Sequence, residues 1–205
     1  MKSFETNKIK QKAYEFGADL VGIGNIERWA KCPELMSPKG ILPSAKSVVV
    51  CGLRHTDAMV ECSCEDNPHD HGSYASQCIM NFHLDRISFD IARELENMGY
   101  NAVPIAASNI WRYKKYKSLG NAFCPDMSNI YSPVAAGLAE MGYHGLAMTP
   151  EFGPRNRFVS IVTDAILEPT VLMPGKTLCD NCGLCRRNCP TGALVKELNG
   201  MTALE

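Results

Sequence analysis

Four cysteines near the C-terminal end are spaced for a metal–sulfur cluster. Cys179, Cys182, Cys185 and Cys189, followed by Pro190, form the pattern C-x2-C-x2-C-x3-C-P. A cubane cluster needs thiolates brought to separate iron corners by a short irregular loop, with backbone N–H groups left over for its sulfides. Two-residue gaps permit that curl. Gly183 relaxes the turn, Pro190 redirects the chain, and Thr191 can cap a following helix. Zinc is the plainer alternative. Zinc sites more often use two separated C-x2-C knuckles than three cysteines at consecutive x2 intervals. The spacing therefore predicts a [4Fe-4S] cluster with all four cysteines as metal ligands.

In two-cluster ferredoxins the fourth cysteine of such a run serves the other cluster. The sequence holds no second run and ends at Glu205. Three readings stand: one cluster on all four cysteines, a ligand recruited from elsewhere, or a shortened form of a longer protein with an incomplete two-cluster module. The last is favoured, because the helix opening at Thr191 has barely begun when the sequence stops.

Six further cysteines lie at 32, 51, 62, 64, 78 and 124. Cys62, Cys64, His69 and His71, with Cys78 just beyond, are suitable ligand types, but their spacing matches no known site. An exposed polar loop with incidental thiols is the competing reading. Gly22 and Gly24 make a lone G-x-G after a strand. The third glycine of a dinucleotide fingerprint is replaced by Glu27, so that reading is weak. No phosphate-binding lysine loop and no hydrolytic triad motif occurs.

The surrounding chain sets the frame. With 205 residues and 45% hydrophobic content it can bury one sizeable core and a small appendage. A net charge of -1 gives no bulk attraction to nucleic acid or anionic membrane. No apolar run is long enough to cross a bilayer. The lysine-bearing N-terminus has no apolar stretch behind it, so it is not a secretory signal. A soluble, cytoplasmic protein without a membrane partner is expected, and ten cysteines in a reducing compartment point to metal or redox chemistry.

Elements must then position the cysteines. Residues 2–16 read as a helix ending at Gly17, 18–24 and 46–53 as buried strands, and 25–45 as mostly loop. The stretch 73–99 is the strongest helix, with Ile87, Ile91, Leu95 and Met98 stepping by four, four and three before Gly99. A strand over 100–106 carries Pro104, which suits an edge. A helix over about 133–141 with Ser132 as its cap, and strands at 145–149 and 158–163, complete the reading. Alternating helices and strands predict an α/β or α+β layered domain.

Four stretches carry a resemblance: ADLVGIG at 18–24, AKSVVVCGL at 45–53, SPVAAGLAEMGYHGLAMTPEFGPRNRFVSIVTDAILEP at 132–169, and the cysteine run. In order and spacing they resemble the epoxyqueuosine reductase and reductive dehalogenase group of corrinoid iron–sulfur proteins. The resemblance implies a nitroreductase-like, cobalamin-binding domain over 1–168 and a ferredoxin-like segment, incomplete here, over 169–205. It implies a cobalamin-dependent reductase of unknown small-molecule substrate, an oxidoreductase in which electrons pass through the [4Fe-4S] cluster to the corrinoid. A ferredoxin-like carrier or partner-binding protein without catalysis is the alternative.

Carried over position by position, the resemblance makes Ser132, Gly142, His144, Gly145, Thr149 and Arg157 candidates for cofactor binding. From spacing alone, the glycines also read as turn and packing residues, and Arg155 and Arg157 as solvated charges. Epoxyqueuosine reductases carry an acidic residue before the 133–141 helix. Here that stretch reads Ser128, Asn129, Ile130, Tyr131, Ser132, with Asp126 too early, which argues against a tRNA substrate. Tyr131 and His144 are candidate acids, and no catalytic residue is assigned. A twin-arginine export signal, common in dehalogenases, does not occur. The partner is a small molecule or a redox protein, and a homodimer is compatible with a nitroreductase-like domain.

Overall fold

The computed structural model describes residues 2–33, 36–64, 67–108, 125–175, 177–192 and 194. The chain opens with α1 (Lys2–Glu15), stopped by Gly17 in the left-handed region. Strand β1 (Leu20–Asn25) follows, then a 3-10 turn (Ile26–Trp29) and a short helix α2 (Pro38–Ile41). After β2 (Ser47–Arg54) and α3 (Asp57–Glu61) comes a two-residue hairpin, β3 (Ser63–Cys64) with β4 (Asn67–Pro68).

A long helical stretch is next. It is made of α4 (His71–Tyr74), a π-helical segment (Ala75–Met80) and α5 (Asn81–Asn97), ended near the left-handed Gly99. The chain then forms edge strand β5 (Ala102–Ile105), α6 (Tyr131–Ala135), the hairpin β6 (Glu140–Met141) and β7 (Ala147–Met148), β8 (Asn156–Thr163) and α7 (Leu184–Arg187).

Four strands form one sheet in the order β1-β2-β8-β5. Every pairing is antiparallel, which puts the layered fold on the α+β side. Val49 lies opposite Ile23 and Ile161, so three buried aliphatic side chains cross the sheet in one row. Pro104, which has no N–H to give to a ladder, sits on the edge strand as its chemistry requires.

Side chains alternate across the sheet with a period of two. Val21, Ile23, Val49, Cys51, Val159 and Ile161 meet Ile9 and Ala13 of α1 and Leu84, Ile87, Ile91 and Leu95 of α5. On the other face Leu20, Val48, Val50, Phe158 and Val162 meet Trp29, Met127 and Val134 to Ala136. The sheet is therefore covered on both faces. The helical stepping of Ile87, Ile91 and Leu95 is what turns α5 onto the first face.

The two glycines of the lone G-x-G have a packing cause. A Cβ on Gly22 would lie 2.6 Å from the carbonyl oxygen of Ala136. One on Gly24 would lie 2.6 Å from the Trp29 ring and 3.0 Å from the Ala135 carbonyl oxygen. They let the end of α6 lie against β1 with no side chain between.

The expected helix over 133–141 is shorter and earlier. It ends at Ala135 because Gly137 takes φ +74, and the chain turns into β6. Ser132 is accordingly not its cap. It lies within the helix, fully buried, donating from Oγ to the Ser128 carbonyl at 2.8 Å. The N-cap position is Ile130, and just ahead of it Ser128 Oγ accepts from Tyr131 N–H at 3.1 Å. The expected strand at 145–149 reduces to β7, and the 25–45 loop contains two short helical turns. Cys124 and the helix expected after Thr191 lie outside the described residues, apart from Thr191, Gly192 and Leu194.

Candidate iron–sulfur centre

The cysteine run lies beyond a strap at 169–175 that is stitched to the sheet. Thr170 N–H donates to the Ile23 carbonyl at 2.8 Å, and its Oγ1 accepts from Ile23 N–H at 3.0 Å. Arg28 spans two segments, giving Nη1 to the Ala135 carbonyl at 2.7 Å and Nη2 to the Thr170 carbonyl at 2.9 Å.

Glu140, at the start of β6, then receives the chain. Its Oε2 accepts from Thr177 N–H at 2.8 Å and Thr177 Oγ1 at 3.0 Å. Its Oε1 accepts from Leu178 N–H at 2.8 Å and Cys179 N–H at 2.7 Å. Burial works to raise this carboxyl's pKa. The backbone donors of Thr177, Cys179 and Leu178 and the Thr177 hydroxyl outweigh it and hold the group below its ordinary value.

Cys179 is gripped a second time: Tyr143 N–H donates to its Sγ at 3.3 Å. Farther along, Arg186 Nη1 donates to the Tyr143 hydroxyl at 3.3 Å. The hairpin tip thus touches the run at its first cysteine and again on α7. Between these points the backbone takes two left-handed residues, Asn181 at φ 58 and Gly183 at φ 72, and Asp180 Oδ1 accepts from Cys182 N–H at 3.0 Å. A tight loop with cysteines at both ends follows.

The donor chemistry fits a cubane. All four thiols are free of disulfides, partly or fully exposed, and carried on a curled loop. Among the described residues no three or more His, Cys, Asp or Glu side chains gather so as to hold a single metal ion. A cubane asks for something different, since its ligands stand apart at separate iron corners. Cys62 and Cys78 are half-buried and free, and the His69 and His71 rings stack with centroids 6.3 Å apart.

Of the six residues carried over for the organic cofactor, Ser132, His144, Thr149 and Arg157 each have a polar atom engaged within the chain. Ser132 Oγ is spent on Ser128. Thr149 is buried, with Oγ1 accepting from Phe152 N–H at 3.1 Å and Asn156 Nδ2 at 3.3 Å. Arg157 gives Nε to Asn81 Oδ1 at 3.0 Å and Nη1 to Ser76 Oγ at 3.4 Å, and burial lowers its pKa. The space above Gly142 holds the His144 ring and the Met148 sulfur, 2.6 to 2.8 Å from where a Cβ would stand. His144 Nδ1 accepts from Leu146 N–H at 3.1 Å, and burial lowers its pKa, so the ring is neutral near pH 7. Of the six, Gly145 is the one whose described surroundings leave open space beside the backbone.

The candidate acid Tyr131 is also occupied. Its hydroxyl donates to the Arg28 carbonyl at 2.8 Å, its ring packs edge-on to Trp29, and burial pushes its pKa up. Arg155 pairs with Asp57 at 3.2 Å and Glu61 at 3.7 Å on the surface. Sequence reasoning missed Glu140 altogether. A Glu two residues before a glycine carries no signal, and its partners lie 37 to 39 positions away.

Comparison with known proteins bears on the same segment. Residues 176–195 match the 4Fe-4S binding domain family. A tetrachloroethene reductive dehalogenase of Sulfurospirillum multivorans is 26% identical over 93% of this chain and 40% of its own length. An epoxyqueuosine reductase of Bacillus subtilis is 26% identical over 82% of this chain and 41% of its own. The chain is a relative of both enzymes.

Solved structures agree on the fold. A reductive dehalogenase described in terms of B12-dependent dehalogenation superposes with TM-score 0.70 at 21% identity, covering 94% of this chain and 26% of its own. An epoxyqueuosine reductase bound to an epoxyqueuosine-modified tRNA stem loop superposes with TM-score 0.64 at 18% identity, covering 94% and 53%. The chain thus spans well under half the length of the curated relatives it matches. No helix among the described residues is long and apolar enough to cross a membrane.

Proposed function

We propose that this chain is the electron-entry part of an iron–sulfur reductase, with Cys179, Cys182, Cys185 and Cys189 as the cysteines that hold iron. When bound, a [4Fe-4S] cluster supplies one-electron transfer. The observation that carries the reading is the direct docking of the cysteine run onto the β6–β7 hairpin. Glu140 and Tyr143 fix its first cysteine and Arg186 its helical end. A cluster held there is fixed against the α+β domain rather than swung on a loose tether.

Residues 1–168 as the domain that receives electrons, and 169–205 as the segment that delivers them, is the division this reading uses. Cobalamin enters through kinship with the dehalogenases, and the reduced substrate is proposed to be a small molecule. The relative solved with a tRNA stem loop makes an RNA substrate the natural competitor. The lack of a carboxylate over 128–132 weighs against it.

A second reading is favoured by the engaged hydroxyls of Ser132 and Thr149 and the engaged guanidinium of Arg157. In it the chain is an electron carrier for a partner protein and binds no organic cofactor.

Anaerobic reconstitution with iron, sulfide and cobalamin, followed by gel filtration, separates the two. The reductase reading expects iron, sulfide and corrinoid to elute together with the protein. Iron and sulfide with the protein but all corrinoid in the salt volume leaves the carrier. Absence of iron from the protein fraction would sink both.

A further inference from the structure

The cysteine run is anchored by a carboxylate that no cluster pattern contains. Glu140 is 4% exposed, and both its oxygens are filled by one short stretch, Thr177 to Cys179. A buried carboxylate is unfavourable unless donors match its ionised form. Three successive backbone N–H groups and one hydroxyl provide that match. All four donors belong to the residues that lead into the first ligand.

We propose that Glu140 is a positioning residue for the iron–sulfur cluster, fixing the backbone at Cys179 and lowering the cluster's reduction potential by its charge. The inference rests on the reading of 179–189 as a cluster site. Two physical effects act in one direction. A fixed negative charge one backbone N–H from a ligand disfavours adding an electron to the cluster. The N–H groups of 177–179 are also turned to the carboxylate, so they are withheld from the cluster's sulfurs, where they would raise the potential. Tyr143 N–H, donating to Cys179 Sγ, works the other way. Both influences come from the β6–β7 hairpin, so one element sets where the first ligand stands and how readily the cluster is reduced.

A merely structural anchor would not need the charge, and this separates the two roles. Gln in place of Glu140 keeps the size and one acceptor oxygen but removes the charge and presents an amide donor to the Thr177 side. Asp keeps the charge on a stem one methylene shorter. Wild type, Glu140→Gln and Glu140→Asp are to be reconstituted anaerobically, with iron and sulfide counted per chain and thermal melts confirming the fold. Cluster potentials are then read by redox titration followed in electron paramagnetic resonance.

The expected result is a wild-type-like melt for E140Q with its midpoint potential shifted to a more positive value. An E140Q potential equal to or below that of wild type overturns the inference. Should E140Q hold too little cluster to titrate, E140D decides. Restored cluster at near wild-type potential supports the inference, and a chain as empty as E140Q overturns it. A wild-type chain that takes up no cluster instead defeats the reading of the cysteine run itself.

Discussion

The sheet core and the cysteine run are held by opposite means. In the core, Val48, Val49, Val50, Val159 and Ile161 are all fully buried, and helices or loops cover both faces. No single contact decides that packing. In the run, Cys182, Leu184 and Arg187 are exposed, and no residue of α7 is buried. Order there comes from a few named polar contacts: Glu140, the Tyr143 N–H and Arg186. Stability in the core is spread over many apolar contacts, whereas order in the run depends on a few polar atoms. A segment of this kind gains order from the metal it binds as well as from the protein.

Truncation in the core gives the largest expected effect. Leu95→Ala removes a fully buried side chain from α5 and should lower unfolding free energy by about 2–5 kcal/mol. Denaturant titration measures it. A loss within experimental error would break the claim that apolar burial dominates this region.

Adding one atom comes next. Gly22→Ala forces a methyl group against the Ala136 carbonyl and Leu138, and should cost about 1–3 kcal/mol in the same titration. The cysteines should not notice it: cluster uptake at low temperature should stay at the wild-type level.

Thr177→Val is smaller and local. It removes one of the four hydrogen bonds at Glu140, worth about 0.5–1.5 kcal/mol, and should speed amide exchange over 177–179 without moving the global transition. A shift in the global transition would mean that the run is part of the core's cooperative unit.

The last contrast uses thiol chemistry. Burial pushes Cys51 up to about 12 from an ordinary value of 9.0. Below pH 9 the thiol is protonated whether the chain is folded or not, and its contribution to stability is complete. As pH rises toward 12 the unfolded chain loses the proton first, so that contribution drains away. Alkylation of the cluster-free protein at pH 8, read by mass spectrometry, should mark exposed Cys182 readily and Cys51 only on unfolding. Equal labelling would erase the distinction.

What could be read from the sequence follows the same division. The valine-rich run at 46–53 and the stepping of Ile87, Ile91 and Leu95 marked β2 and α5, because burial leaves a period in the chain. Pro104 marked its own edge strand by lacking a donor. The cysteine spacing is local, and it agrees with the 4Fe-4S family match over 176–195. The end of α6 was misread because Ala135 and Ala136 continue as good helix formers while Gly137 breaks the turn. Glu140 was invisible because backbone donors far along the chain have no residue identity to detect. Ser132, Thr149 and Arg157 carry suitable groups for a ligand, but the neighbours that engage them come from Ser128, Asn156 and Asn81, and no motif lists those.

Thr170 offers an amide, a carbonyl and a hydroxyl, and β1 and Arg28 use all three. Below it, Gly137 leaves room for the Val171 carbonyl and nothing larger. The strap at 169–175 is thus a splint instead of a hinge. Slack added upstream of Thr170 would be absorbed as a surface bulge. Slack added between Thr170 and Thr177 would change the reach from β1 to Glu140 and leave the cysteines free to wander. The tolerance of this chain to insertion should therefore change abruptly at one threonine.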